Sequence, residues 1–152
     1  MDYSVTPVGY VASSRGEVVD DGWDEEMCAI ELVDPFGPEA LVGLEAFSHV
    51  EVIYLFDRVD PTAVHRGARR PRGNPDWPEV GIFAQRGKDR PNRLGLSTCE
   101  LLSVERRRLV LRGLDAVDGT PVLDVKPWFE EFGPRGPVRQ PDWSRELMAD
   151  YF

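Results

Sequence analysis

Cationic side chains are concentrated in one short stretch of this acidic protein, GIFAQRGKDRPNRLGLS, over Gly81–Ser97. Arg86, Lys88, Arg90 and Arg93 fall within one span of eight residues. The stretch also contains a proline, an asparagine and a glycine, residue types that restrict or shape the backbone of a turn. Guanidinium groups bind anionic and polar partners through several N–H donors at once. The stretch therefore predicts a stiff, cationic turn that holds an anionic or polar group.

Carboxylates are concentrated in a second stretch, GLDAVDGTPVLDVKPW, over Gly113–Trp128. Its Asp115, Asp118, Asp124 and Lys126 are spaced by residues typical of tight turns, and Asp-Gly is a strong turn signal. The pattern alone leaves two interpretations open. The stretch is either an ordinary hairpin with solvated aspartates, or it joins the cationic stretch in a polar pocket at the mouth of a barrel.

Several common catalytic and metal-binding motifs are absent from the sequence. His49 and His65 are the only histidines, and neither has ligand-like spacing to a cysteine or a carboxylate, so we expect no metal site. There is no glycine-rich dinucleotide loop, P-loop, Gly-x-Ser-x-Gly elbow or Cys/His pair. Cys28 and Cys99 lie far apart in apolar segments, which favours buried free thiols over a disulfide or a metal pair.

Short strands must position these residues, because 13 prolines and 14 glycines interrupt brief apolar runs throughout the chain. The predicted strands are Val5–Ala12, Met27–Val33, Val50–Phe56, Val80–Gln85, Leu96–Val104, Arg108–Leu114 and Pro121–Val125. The Val50–Phe56 run is almost continuously apolar, which predicts burial on both faces. We therefore predict a mainly β fold, a small single-domain β-barrel over residues 1–152 that is closed or nearly closed.

Two helices and a long loop complete the predicted fold. We expect a short helix over Pro38–Phe47 and a short C-terminal helix over Asp142–Tyr151, the second with an aspartate or serine that can cap it. The segment Pro61–Pro78 has no periodicity and contains four arginines, so it predicts a long Arg-rich loop. This loop is either solvated and mobile or a contact for phosphate groups, and the pattern leaves both open.

Charge is segregated along the chain, although the net charge is −9. The segment Gly16–Asp57 has twelve acidic residues and no lysine or arginine, whereas Arg58–Arg112 has thirteen basic and six acidic residues. Either the two segments pair across the fold, or the protein presents a cationic face. The sequence shows no secretory signal and no apolar run of membrane-spanning length, so we expect a cytoplasmic protein without membrane contact.

Three segments, GLEAFSHVEVIYLF, GIFAQR…RPNRLGLS and GLDAVDGTPVLDVKP, occur in this order within Val5–Trp128. Together they resemble the TsaA-like or TrmO family, the S-adenosylmethionine-dependent tRNA methyltransferases with a β-barrel fold. The resemblance implies a small barrel that dimerises and binds S-adenosylmethionine near the subunit boundary. It also implies methylation of N6 of threonylcarbamoyladenosine beside the tRNA anticodon. We expect the additional C-terminal domain of longer members to be absent.

The resemblance also assigns roles to residues of this chain. Those implied for cofactor binding are Arg58, Val59, Arg86, Leu96, Leu114, Asp115, Ala116 and Val117. Those expected at the substrate are Arg90, Asn92 and Lys126. Asp115 and Asp118 are the candidate catalytic carboxylates. Asp20–Trp23 stands where the family has a Pro-Arg-Gln-like turn, which this chain lacks.

Methyl transfer from a sulfonium compound suits this set of residues. The sulfonium already carries an activated methyl group, so the protein needs mainly to align the acceptor with that group. A nearby carboxylate can favour the positive sulfur or accept a proton. The sequence leaves two other functions open: methyl transfer to a small molecule, and a non-catalytic module that binds S-adenosylmethionine or a nucleotide.

Overall fold

Six antiparallel strands close into a barrel in a computed structural model that describes residues 1–16 and 20–152. The strands within these residues are β1 Gly9–Ser13, β2 Met27–Leu32, β3 His49–Leu55, β4 Ala68–Arg69, β5 Val80–Gly81, β6 Leu94–Glu105, β7 Arg108–Arg112 and β8 Pro121–Pro127. The order around the barrel is β1-β2-β7-β6-β3-β8, and β8 pairs with β1 to close it. Strands β4 and β5 form a separate two-stranded sheet. The predicted mainly β barrel is confirmed.

Alternation along the strands places apolar side chains inside the barrel. In β3, Val50, Val52 and Tyr54 are buried, while the residues between them are half-buried. The expectation that both faces of this strand are buried is therefore wrong, because a sheet of an antiparallel barrel buries one face fully and leaves the other partly solvated. The buried residues that pack together in the core are Val11, Cys28, Ile30, Leu41, Val50, Val52, Tyr54, Cys99, Leu109, Leu111, Leu114, Ala116 and Val122.

Both cysteines are buried and free, as the sequence predicts. Burial is the main cause that raises the pKa of the Cys28 thiol to about 12, and the nearby Glu26 carboxylate adds to the effect. Burial likewise raises the pKa of Cys99, with a further contribution from Asp115. Both thiols therefore stay protonated at neutral pH and act as small apolar side chains in the core.

Most predicted strands are confirmed, with shifts of a few residues at their ends. The predicted strand Val80–Gln85 is wrong after its first two residues, because Ile82–Ala84 forms a 3-10 helix. The side-chain amide of Gln85 then folds back and donates to the carbonyl of Val80 at 2.8 Å. This hydrogen bond belongs to a turned segment, which an alternation pattern does not reveal.

The predicted helix Pro38–Phe47 is wrong as a single helix. Gly43, at φ 88°, adopts the left-handed conformation and separates two 3-10 helices, Pro38–Leu41 and Leu44–Ala46. The C-terminal helix is confirmed as α1, Asp142–Met148, and it is shorter than predicted. The predicted cap by an aspartate or serine is wrong, because Pro141 occupies the N-cap position and no side chain there bonds to the helix N-terminus. Within residues 1–16 and 20–152, no helix has the length and apolar character needed to cross a membrane.

Two of the four arginines of the Arg-rich loop hold that loop against the rest of the protein, and a third is held within the loop. Arg69 forms an ion pair with an aspartate of the following turn at 3.4 Å, and Arg70 donates to backbone carbonyl groups within the loop. Arg72 forms an ion pair with Asp21 at 2.9 Å. Only Arg66 has neither a hydrogen bond nor an ion pair to another described residue. Three of the four guanidinium groups are therefore bound in place.

Some of the segregated charges pair across the fold. Arg107 contacts Asp34 at 3.1 Å, Arg108 contacts Glu31 at 3.9 Å, and Arg72 adds the contact described above. These ion pairs are partly exposed, so each contributes little to stability. Pairing between the acidic and basic segments is confirmed for these arginines.

Gly95 of β6 lies directly against the ring of Tyr54, its partner on β3. A β-carbon at this position would lie 2.4 Å from two ring carbons of Tyr54, a side chain that is only 1% exposed.

We therefore expect Gly95→Ala to lower the free energy of unfolding by about 1–3 kcal/mol, the usual cost of overpacking a core. Urea denaturation measures the change. Gly67→Ala is the matched control, because an added β-carbon there meets nothing within 4 Å. Equal stability of the two variants would contradict this role of Gly95.

Candidate functional site

The carboxylate of Asp115 accepts hydrogen bonds from three side-chain hydroxyl groups at one end of the barrel. The Tyr54 hydroxyl donates to Oδ1 at 2.8 Å, Ser97 donates to the same oxygen, and the Tyr151 hydroxyl donates to Oδ2. Tyr54 and Ser97 are buried, whereas Asp115 and Tyr151 are half-buried. We call these four residues the carboxylate cluster. Its three donors fix the orientation of the carboxylate, because an ionised carboxylate only accepts hydrogen bonds.

Strands β3 and β6 position the two buried hydroxyl groups. Tyr54 stands opposite Gly95, and Ser97 follows two residues later on the same buried face of β6. Asp115 comes after β7, beyond Gly113, whose φ of 85° turns the chain. Positions far apart in the sequence therefore meet where β3 ends and β6 begins.

Burial raises the pKa of both tyrosines of the cluster. For Tyr54 burial is the largest cause, and the negative charge of Asp115 is the second. For Tyr151 the two largest causes are the same, burial first and the charge of Asp115 second. Both phenols therefore remain protonated over the physiological pH range and stay hydrogen-bond donors to the carboxylate.

The segment that carries Asp115 is otherwise apolar and buried. Leu114, Ala116 and Val117 are exposed by 0%, 4% and 8%. The segment therefore presents one fixed negative charge in an apolar surrounding, where an electrostatic contact is screened less than in water.

Two arginines link other predicted cofactor residues to the same end of the barrel. Arg86 donates from Nη2 to the carbonyl of Leu96 at 2.9 Å, and Arg58 donates from Nη2 to the carbonyl of Asp118 at 2.9 Å. Val59 follows Arg58 beyond the end of β3 and is buried. The structure thus brings the eight residues implied for cofactor binding to one end of the barrel.

Asp118, the second candidate catalytic carboxylate, holds a turn. Its Oδ1 accepts from the backbone N–H of Ser13 at 2.9 Å, and its own N–H donates to the carbonyl of Arg15 at 2.8 Å. These bonds fasten the turn before β8 to the end of β1. Among the described residues, the exposed side chain of Asp118 makes no hydrogen bond to the carboxylate cluster.

The three predicted substrate residues differ in their surroundings. Arg90 donates to the carbonyl of Gln85 at 2.7 Å. Asn92 is exposed, and its φ of 62° shapes the turn before β6. Lys126 forms an ion pair with Asp124 of its own strand at 2.7 Å. In the described part of the chain, Lys126 has no hydrogen bond or ion pair to the carboxylate cluster, so the structure does not bring it together with the other residues.

Sequence reasoning missed three members of the cluster: Tyr54, Ser97 and Tyr151. Tyr54 had a usable signal, because a tyrosine within an apolar strand needs a partner for its hydroxyl group. Ser97 falls in the alternation of β6 among buried residues, which is a weaker signal of the same kind. For Tyr151 the sequence contains no signal of a role in the site, because this residue follows a short amphipathic segment without a motif.

Four arginines near this end of the barrel are held by backbone carbonyl groups. They are Arg58, Arg86, Arg90 and Arg93. Within the described residues none of them forms an ion pair, so no carboxylate neutralises them at contact distance. We call them the carbonyl-held arginines. Each guanidinium has five N–H donors, so donors remain for a ligand.

The chain is a small protein built on a closed six-stranded antiparallel barrel, with the carboxylate cluster and the four carbonyl-held arginines at one end. The chain is similar to the crystal structure of TrmO from Pseudomonas aeruginosa, with a TM-score of 0.74 and 34% sequence identity. That similarity covers 91% of this chain and 62% of the other.

A family model described as the tRNA-methyltransferase O N-terminal domain matches residues 19–133. The chain is 38% identical over 136 residues to a putative S-adenosylmethionine-dependent methyltransferase RcsF of Pseudomonas aeruginosa, covering 84% of this chain and 55% of that protein. It is 36% identical over 128 residues to the tRNA (adenine(37)-N6)-methyltransferase of Escherichia coli, and the match covers 80% of this chain and 48% of that protein. The chain therefore belongs to the TrmO family, and it spans about half the length of these relatives.

The raised pKa of Tyr54 predicts a loss of stability at alkaline pH. A phenol whose pKa is raised by folding keeps its proton at pH values where the unfolded chain has released it. Its contribution to stability is fully present below the unfolded pKa of 10.0 and is lost as the pH rises above that value. Above this pH the unfolded chain releases the Tyr54 proton and the folded protein keeps it. We therefore expect the free energy of unfolding to fall by up to about 1.4 kcal/mol per pH unit because of Tyr54.

Urea denaturation between about pH 8 and pH 11 measures this slope. The control is Tyr54→Phe, which keeps the ring and lacks the ionisable group. Its stability should fall less steeply than that of the wild-type protein. Parallel slopes above pH 10 would show that the Tyr54 hydroxyl is not held protonated by the fold.

Proposed function

We propose that the protein is an S-adenosylmethionine-dependent methyltransferase that methylates N6 of threonylcarbamoyladenosine in the tRNA anticodon loop. The names of the two relatives support the cofactor, the reaction class and the RNA substrate. The proposal includes a cytoplasmic location, where tRNA is available. What carries the proposal in the structure is the meeting of separate sequence segments around Asp115.

The residues at this end of the barrel fit S-adenosylmethionine as a ligand. Arg58, Val59, Arg86, Leu96 and the segment 114–117 would hold it. The Asp115 carboxylate can accept a hydrogen bond from a hydroxyl or amino group, and the apolar side chains beside it can pack against an adenine ring. The arginines can bind the carboxylate of the methionine portion. When bound, the cofactor supplies an activated methyl group.

Alignment is the main contribution that we assign to the protein. Asp115 already accepts two hydrogen bonds on Oδ1 and one on Oδ2, so its carboxylate is a fixed acceptor whose position does not depend on the ligand. Fixed donors and acceptors cost no reorganisation during the reaction. The protein lowers the activation barrier mainly by holding the acceptor nitrogen and the methyl group at attack distance.

The carbonyl-held arginines support an RNA substrate. Binding of RNA depends strongly on contacts between cationic side chains and phosphates. The net charge of −9 opposes such binding at long range, but these four guanidinium groups keep their charge locally. Arg90 is the member that we assign to the RNA, because it is the one of the four that was expected at the substrate from the sequence.

Incubation of the purified chain with methyl-labelled S-adenosylmethionine and bulk tRNA tests the function. We expect label in the RNA and, after digestion, in N6-methylated threonylcarbamoyladenosine. tRNA from cells that lack the threonylcarbamoyl modification is the matched control and should stay unlabelled. Cofactor binding without transfer to any RNA would show that the protein is a binding module.

Arginine variants extend this test to the RNA contact. We expect Arg90→Ala to weaken tRNA binding and to lower the slope of log affinity against log salt by about 1, because one phosphate contact is lost. Arg107→Ala is the matched control, since Arg107 lies in the turn between β6 and β7 and pairs with Asp34. Filter binding over a salt series measures both. Equal slopes for the two variants would remove Arg90 from the RNA contact.

We also propose that the protein works as a homodimer. Leu94 and Leu96 point outward from β6 and are exposed by 42% and 46%, and Leu96 belongs to the proposed cofactor site. Covering such side chains with a second copy would remove apolar surface from water beside the site. Sedimentation equilibrium should give twice the chain mass, and Leu94→Glu should shift the protein towards the monomer. A wild-type monomer at micromolar concentration would contradict the proposal.

A further inference from the structure

We propose that Tyr151 is a positioning residue of the cofactor site. Tyr151 lies outside the region matched by the family model, residues 19–133. Its hydroxyl nevertheless donates to Oδ2 of Asp115, the central acceptor of the carboxylate cluster. This inference rests on the proposed function, because it concerns the same site.

Backbone hydrogen bonds fix the segment that contains Tyr151. The N–H of Gly22 donates to the carbonyl of Asp150 at 3.0 Å, and the N–H of Trp23 donates to the carbonyl of Tyr151 at 2.7 Å. Gly22 and Trp23 belong to Asp20–Trp23, which replaces the Pro-Arg-Gln-like turn expected from the family. The segment around Tyr151 therefore lies against the turn at residues 20–23.

The Arg-rich loop holds the same assembly from another side. The indole N–H of Trp77 donates to a carboxylate oxygen of Glu146 in α1 at 2.7 Å. Arg72 of the loop pairs with Asp21 at 2.9 Å. The loop, the turn at residues 20–23 and the segment after α1 are thus attached to one another. Tyr151 is the residue of this assembly whose side chain bonds to the carboxylate of Asp115.

The hydrogen bonds of Asp115 show what Tyr151 contributes. Each carboxylate oxygen has two lone-pair positions. Tyr54 and Ser97 occupy those of Oδ1, and Tyr151 occupies one of those of Oδ2. With the donors among the described residues counted, one position on Oδ2 remains for a donor from a ligand, such as a ribose hydroxyl or an amino group. Tyr151 therefore determines which direction of approach is left for that donor.

The decisive variant is Tyr151→Phe, which removes the hydroxyl group and keeps the ring. This ring packs edge-on against that of Phe152, with 4.8 Å between the ring centroids. Tyr10→Phe is the matched control, because Tyr10 is 42% exposed on β1 and its hydroxyl bonds to no other described side chain. Titration calorimetry with S-adenosylmethionine measures affinity in the full chain. We expect about tenfold weaker binding for Tyr151→Phe, the usual effect of losing a hydrogen bond to a charged group, and unchanged binding for Tyr10→Phe.

Steady-state kinetics and melting curves separate positioning from a structural role. Positioning predicts a KM for S-adenosylmethionine that rises about tenfold, with kcat at saturation within about twofold of the wild-type value. A lower melting temperature with unchanged affinity and KM would overturn the inference and leave the proposed function intact. If the wild-type protein binds no S-adenosylmethionine, the proposed function is wrong, and the inference falls with it.

Discussion

One requirement governs the functional end of the barrel: a half-buried carboxylate must be supplied with hydrogen-bond donors, because an unpaired buried charge is costly. Asp115 receives its donors from Tyr54, Ser97 and Tyr151. The ring of Tyr54 in turn needs space, which the absence of a β-carbon at Gly95 provides. These residues depend on one another, since a change in any of them leaves a polar atom unpaired or overfills the core.

The arginines of this acidic protein have two kinds of partner, and the difference matters for binding. Arg72, Arg107 and Arg108 pair with carboxylates of the acidic segment and connect parts of the fold. The carbonyl-held arginines instead keep their positive charge while losing much of their conformational freedom. Less entropy remains to be lost when such a side chain meets an anion. The four carbonyl-held arginines therefore place positive charge at this end of the barrel, although the net charge of the protein is −9.

Signals that are local in the sequence predicted the barrel well. Alternating apolar residues and frequent glycine and proline breaks were enough for most strands, and three segments together predicted the family. Predictions failed where a side chain or backbone turned the chain unexpectedly, as at Gln85 and Gly43. The contact of Tyr151 with Asp115 depends on where the chain passes after α1, which is a tertiary property. The partners of the arginines depend likewise on the positions of distant carbonyl groups.

Closure of the barrel joins distant parts of the chain, and this has a consequence for folding order. Gly9 of β1 pairs with Val122 of β8, and Trp23 binds the carbonyl of Tyr151. Contacts between residues so far apart in sequence raise the contact order and slow folding, because long loops must close before they form. A nascent chain can therefore assemble this site only after β8 and the segment around Tyr151 have left the ribosome and docked.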